Sequence, residues 1–166
     1  MEKFKEEKYI PESVSELATE ISEKYKSLPD IMLAIQEGVN SRMKSLSSTY
    51  QPKSIIESRF TSAEEVYKKG MKSCGAIVNI SAEALRLLGF KVKLIHGETL
   101  DSVDHAWIKA LNPETNEWEQ YDLTNEDLKV SQENTIKYEV DSWEEIRDQI
   151  EEDHRTLRAR RKERGL

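Results

Sequence analysis

Three residues of this sequence have the types and the order of a nucleophilic centre. They are Cys74 in KKGMKSCGAIVNISAEALRLLGF (residues 68 to 90), His105 in DHAWIKAL and Asp122 in EWEQYDLT. A thiol can supply an attacking sulfur, an imidazole can take its proton and return it to a leaving group, and a carboxylate can fix the ring's tautomer and stabilise its cation. The cysteine is the only one in the chain, and its placement matters. Ser73 can serve as N-cap of a helix from Cys74 to Leu88 closed by Gly89, which puts Cys74 at the first helical position. Unpaired amides and the helix dipole favour thiolate over thiol there. The competing reading is a buried small apolar side chain, a frequent fate of free cysteine. Thiol reactivity separates the two.

The elements that must position the other two residues are strands. FKVKLI alternates Phe90, Val92 and Leu94 against Lys91 and Lys93, the pattern of a half-buried strand. GETLDSVD reads as a loop, HAWIKAL as a second strand beginning at His105, and NEWEQYDL as a third ending near Asp122. NPET is the turn of the hairpin that joins the last two. With Asn112 to Thr115 as a four-residue loop, Leu111 faces Asn116, opposed residue numbers sum to 227, and His105 faces Asp122. A slip of two keeps both side chains on one face as diagonal neighbours, whereas an odd slip separates them.

The rest of the chain reads as helices. In PESVSELATEISEKYKSL, residues Val14, Leu17, Ala18, Ile21, Tyr25 and Leu28 recur at helical spacing behind Pro11. IMLAIQEGVNSRMKSL follows with Ile31, Ile35, Val39, Met43 and Leu46 on one face and Asp30 as N-cap. SSTYQPKSIIESRF reads as a loop or short irregular segment that could border a site. TSAEEVYKKG predicts a short helix at 62 to 69, with Ser62 and Glu65 at capping-box spacing and Gly70 as its stop. Ser142 and Glu145 repeat that spacing before a long helix at 143 to 163, whose thin apolar stripe is Trp143, Ile146, Ile150 and Leu157.

Other conspicuous residues have their own readings. His96 competes as a base, but it follows a strand and has no Asp at a matching hairpin spacing. Asp104 is the weaker alternative to Asp122. Trp107 shares a face with His105 and either walls the site or fills the core, while Trp118 and Tyr121 read as packing residues. The Cys74 backbone N–H is an expected oxyanion donor, and Gln51, Tyr50 or Tyr67 could offer the second. One Cys and three scattered His lack zinc-ligand spacing, and no calcium loop or glycine-rich phosphate motif is present. The expectation is therefore no metal and no cofactor, which removes NTPases and Rossmann dehydrogenases.

The cysteine, histidine and aspartate blocks resemble, in this order, those of the transglutaminase-like superfamily within the papain-like cysteine peptidase fold, over roughly residues 61 to 124. The resemblance implies Cys74 as nucleophile, His105 as general base and acid, and Asp122 as orienting carboxylate. It also implies acyl transfer at amide bonds through a thioester without an organic cofactor, a small stand-alone hydrolase being the closer analogue. Family sequences commonly have Gly two residues before the cysteine, where this chain has Lys72, with Gly70 two positions earlier. They often read Asp-Pro after the last strand, where this chain has Asp122-Leu123.

Charge and length bound these readings. The chain has 166 residues and a net charge of −7, enough length for one domain with a real core. From His154 onward six Arg/Lys oppose one acid, so the first 153 residues carry about −12. The basic tail is either a solvated helix end complementing the C-terminal dipole or a surface that grips phosphates, an acidic membrane surface or the acidic body of another subunit. Deleting residues 155 to 166 without changing oligomeric state or binding would remove the second reading. A lone cysteine, no leader-like start and no apolar run of ~20 residues predict a soluble, cytoplasmic protein without membrane insertion.

The sequence thus predicts an α+β fold, with N-terminal helices packed on a small antiparallel sheet. A domain at 1–141 is followed by a C-terminal helix with basic tail at 142–166. The expected function is a cysteine protease, amidase or transglutaminase-like acyltransferase acting on a peptide or protein substrate. The alternatives are a catalytically silent binding module and an assembly or nucleic-acid adaptor using the tail, with nucleic acid the weaker partner.

Overall fold

The computed structural model describes residues 9–46, 56–71 and 73–165. Among them are five α-helices and one four-stranded antiparallel sheet, an α+β arrangement. Helix α1 (Val14–Lys24) buries Val14, Leu17, Ala18 and Ile21, and Ser13 caps it by accepting from the Glu16 N–H. Tyr25 ends α1 as an exposed C-cap, and Leu28 belongs to the next helix. Helix α2 (Leu28–Ser45) is capped by Ser27, whose Oγ accepts from the Asp30 N–H. The expected cap, Asp30, lies inside the first turn instead, where its charge complements the dipole. Pro29 near the start accounts for the shift, because proline fits the first helical turn where its missing N–H costs nothing.

A short 3-10 turn at Glu57–Phe60 and helix α3 (Ala63–Lys69) lead to the centre of the molecule. Ser62 caps α3, and Gly70 ends it at φ 72°, the left-handed stop read from the sequence. Helix α4 (Cys74–Leu87) buries Ala76, Val78, Ile80, Ala82, Ala84 and Leu85, and it packs on both the sheet and the other helices. It is apolar nearly all round because it is the middle layer. Each fully buried aliphatic side chain there stabilises the fold by about 1.5–3 kcal/mol relative to exposure.

The sheet runs β3 (Glu117–Tyr121), β2 (His105–Asn112), β1 (Val92–Glu98), β4 (Thr135–Val140). Val92, Leu94, Ala106, Ile108 and Ala110 are cross-strand neighbours on one face and join the core cluster with α4. The alternate positions include Ile95 and Trp107.

The β2–β3 hairpin pairs Ile108 with Tyr121 and Asn112 with Glu117, so opposed numbers sum to 229 rather than 227. The loop is Pro113 to Asn116. Asn116 takes the left-handed conformation at φ 60°, its N–H donates to the Asn112 carbonyl at 2.8 Å, and the Asn112 side chain accepts from Glu114 N–H at 3.0 Å. Asparagine tolerates that backbone and supplies such local bonds. The shift of two preserves parity, so His105 and Asp122 remain on one side as diagonal neighbours.

Two further departures concern β1 and β4. His96 lies within β1 rather than after it, and β4 adds a fourth strand to the expected three. The β1–β4 ladder pairs His96 with Tyr138 but Gly97 with Ile136, which leaves Lys137 as the extra residue of a bulge. After β4, the Ser142/Glu145 capping box forms as expected, but it opens a 3-10 turn (Trp143–Ile146) before α5 (Arg147–Glu163). Ile150 and His154 anchor α5, and residues 158–165 are exposed. Among the described residues no helix is long and apolar enough to cross a membrane.

Asn79, inside α4, fastens these pieces. Its amide N–H groups reach the carbonyls of Ser58, Arg59 and Thr61 at 2.9–3.1 Å, and its Oδ1 accepts from Trp143 Nε1 at 2.8 Å. Asn79→Ala strands a buried indole N–H and loosens residues 58–61. Urea unfolding should register a loss of about 1–3 kcal/mol; a loss below about 0.5 kcal/mol would mean that water replaces the amide.

Candidate active site

Ser73 Oγ accepts from the Ala76 N–H at 3.0 Å, which starts α4 at Cys74 and leaves the Cys74 N–H in the helix's first, unpaired turn. Ser73 is itself held by Ser58 Oγ at 2.5 Å. The thiol is half-buried. His105, at the first position of β2, is close enough to the thiol for each group to shift the other's titration.

On its other side the ring meets Asp122: His105 Nε2 is 2.7 Å from Asp122 Oδ2. With Nε2–H donated to the carboxylate, Nδ1 is the atom left for sulfur. Asp122 is the residue just after β3 and is almost wholly buried. Its N–H leaves the ladder to bond the Leu128 carbonyl, and its Oδ1 accepts from both the N–H and the hydroxyl of Thr124, at 3.0 and 2.6 Å. One carboxylate oxygen is thus fixed by the following turn, and the other is aimed at the histidine.

These contacts shift all three titrations. Burial pushes the Cys74 thiol up, but the hydrogen bond from His105 and the nearby charge of Arg59 outweigh it, so its pKa falls below the ordinary value. Burial pulls His105 down, but the bonds to Asp122 and to the sulfur raise its pKa to about 10. Burial pushes Asp122 up, and the bonds from His105 and Thr124 more than reverse this. A lowered thiol beside a raised imidazole shifts the pair toward thiolate and imidazolium, flanked by a carboxylate whose own pKa is lowered. Such a pair can attack an acyl carbon and protonate the group that leaves.

The structure therefore brings Cys74, His105 and Asp122 together. Trp107 tilts against the His105 ring with centroids 5.8 Å apart, is itself 1% exposed, and donates from Nε1 to Gln120 Oε1 at 2.8 Å. It is a buried ring that backs the histidine. Tyr121 packs against the core and donates to Glu119. Trp118 is not a packing residue in the same sense, being 42% exposed with Lys109 over its ring.

Tyr67 is not an oxyanion donor: it is fully buried, and its hydroxyl donates to the Pro11 carbonyl at 2.5 Å. Gln51, Tyr50 and Lys72 lie outside the described residues. Asp104 does not pair with His105; it bonds Arg59. His96 is fully buried with its two ring nitrogens on Arg59 and Asp153. Sequence reasoning notes that the segment SSTYQPKSIIESRF could border a site but does not single out Arg59. A lone arginine before a helix carries no spacing signal, and only the approach of residues 57–60 to α4 gives it a place.

Among the described residues, no three His, Cys, Asp or Glu side chains are arranged to hold a metal ion. A cleft of about 660 Å³ beside α1 and α2, walled by Pro11, Leu17, Ile21, Ala34 and Gly38, holds none of the three residues. No family model, curated protein or solved structure matches this chain.

Proposed function

We propose that this chain is a cysteine-dependent acyl-transfer enzyme of transglutaminase-like, papain-like fold. It acts on amide bonds of peptides or of protein side chains. The supporting observation is the His105 ring held between Cys74 and Asp122, with Nε2 committed to the carboxylate at 2.7 Å. The resemblance of residues 61 to 124 to the superfamily's three blocks points the same way.

In the proposed reaction the Cys74 thiolate attacks the amide carbonyl carbon, and the C=O electron pair moves onto oxygen. The Cys74 N–H, in the first turn of α4, is the donor offered to that oxyanion. Collapse breaks the C–N bond while the His105 imidazolium gives its proton to the departing amine, leaving a thioester. Neutral His105 then takes a proton from water or an acceptor amine, whose attack on the thioester carbonyl releases the acyl group and restores the thiolate. Asp122 holds the ring and balances its charge throughout.

An activated ester tests this without knowledge of the natural substrate. With p-nitrophenyl acetate, the full chain should release one equivalent of nitrophenol in a burst. Intact mass should show one acetyl group on Cys74, and Cys74→Ala should abolish both. A folded protein that gives no burst and no adduct would be a binding module instead.

A further inference from the structure

One buried cation lies against the helix turn that carries Cys74 and takes no part in the chemistry proposed above. Arg59 sits on the 3-10 turn before α3 with a side chain 3% exposed. Its Cγ passes so close to the first turn of α4 that a Cβ built on Gly75 would lie 2.5 Å away, so residue 75 can hardly be anything but glycine. Its Nη2 is bonded to Asp104, the residue before His105, and its Nη1 lies 3.0 Å from His96 Nδ1. The guanidinium carbon also lies 4.9 Å from the centre of the Trp143 ring.

The bond to His96 defines a tautomer. A guanidinium has only donors, so Nδ1 must accept and the ring must carry its proton on Nε2. That proton is donated to Asp153 on α5 at 2.7 Å, and Asp153 is also held by Lys137 at 2.8 Å. Burial keeps His96 in the neutral form this needs. A buried arginine thus ends a chain of bonds running from α5 and β4, through β1, to the residue next to the cysteine.

We propose that Arg59 is the positioning residue of the Cys74 centre, fixed between Asp104 and His96 so that its charge and stem set the orientation and ionisation of the sulfur. This rests on the reading of Cys74 as a nucleophile. The charged groups acting on the thiol are Arg59 from the 3-10 turn, His105 from β2 and Asp104 from the preceding loop. Arg59 and His105 favour the thiolate and Asp104 opposes it.

The test is the pH dependence of iodoacetamide alkylation of the single thiol, in the full native chain and in three variants checked for folding by circular dichroism. Removing the cation in Arg59→Met should move the acid limb upward by about one pH unit, a ~10-fold slower reaction on that limb. Arg59→Lys, which keeps the charge, should recover most of it. Asp104→Asn should move the limb downward, because its amide oxygen still accepts from Arg59 while the opposing charge is gone. A folded Arg59→Met with the native profile overturns the proposal. Should that variant not fold, Asp104→Asn decides: a downward shift supports the proposal, and an unchanged or upward one overturns it. If the native chain itself alkylates like an ordinary thiol, the nucleophile reading fails first, a result visible before any variant is made.

Discussion

Alkylation of Cys74 by iodoacetamide at about pH 6 should slow by at least tenfold in His105→Ala. An ordinary thiol of pKa ~8.5 is only about 0.3% thiolate at that pH. The native sulfur is held below the ordinary value by the imidazole, so the variant loses most of the reactive form. The higher intrinsic nucleophilicity of a more basic thiolate offsets part of this, with a Brønsted slope of about 0.4–0.5. That partial compensation is why the expected loss is tenfold or more rather than several hundredfold. Turnover of an amide should fall much further, by about 10²–10⁴, because proton delivery to the leaving amine is also lost.

The pH profile gives the same test a second arm. Above about pH 10 native His105 gives up its proton, so native and variant alkylation rates should converge there. Stability follows in sign. The His105 contribution is complete below the unfolded value of ~6.5 and is lost as pH rises through about 10. The Cys74 contribution is present above ~8.5 and is lost as pH falls through its depressed pKa. Relative to His105→Ala, the native chain should therefore lose the His105 part of its advantage between about pH 6.5 and 10, and the Cys74 part as pH falls through the depressed thiol pKa. Equal alkylation at pH 6 in the two proteins would show that the ring does not ionise the thiol.

Gly97→Ala is the substitution expected to damage the fold most for its size. A Cβ at this position would lie 2.3 Å from the Thr135 carbonyl oxygen and 2.4 Å from Trp107 Cη2. Neither neighbour yields cheaply. Thr135 O is backbone of β4, two residues before the bulge at Lys137, and the indole is pinned by its bond to Gln120 and by burial. One methyl group should cost about 3 kcal/mol, the upper part of the range for overpacking, read as a lower urea midpoint. Relief by tilting Trp107 also moves the surface against which His105 rests, so alkylation at pH 6 should slow in the folded fraction. A midpoint within about 0.5 kcal/mol of native would show that β4 simply moves outward.

The local punctuation of the chain was legible because it is written in adjacent residues. Ser73 before Cys74, Ser62 before α3, Gly70 after it and the Ser142/Glu145 box all act within one turn, and all are found in place. The hairpin register was readable only to its parity, since Asn116 and Pro113 permit more than one loop closure while side-chain alternation permits no odd slip. Strand β4 has an alternating pattern at Ile136, Tyr138 and Val140, but the bulge at Lys137 and the docking on β1 are set by contacts distant in sequence. The meeting of Cys74, His105 and Asp122 could be anticipated because each sits at the end of an element. The Arg59, His96 and Asp153 connection could not, because its members come from a turn, a strand interior and a helix with no shared period.

That connection also orders events during synthesis. Chain growth is vectorial, so Arg59, Cys74 and His105 leave the ribosome well before Trp143 and Asp153. Until those two follow, Asn79 lacks the indole N–H it receives at 2.8 Å and His96 lacks the acceptor for its Nε2 proton. A chain reaching only to β3 carries Asp104 and His96 for Arg59, but neither the Trp143 ring nor the Asp153 carboxylate that takes the His96 proton. Completion of α5 is the step that finishes the seat of the arginine.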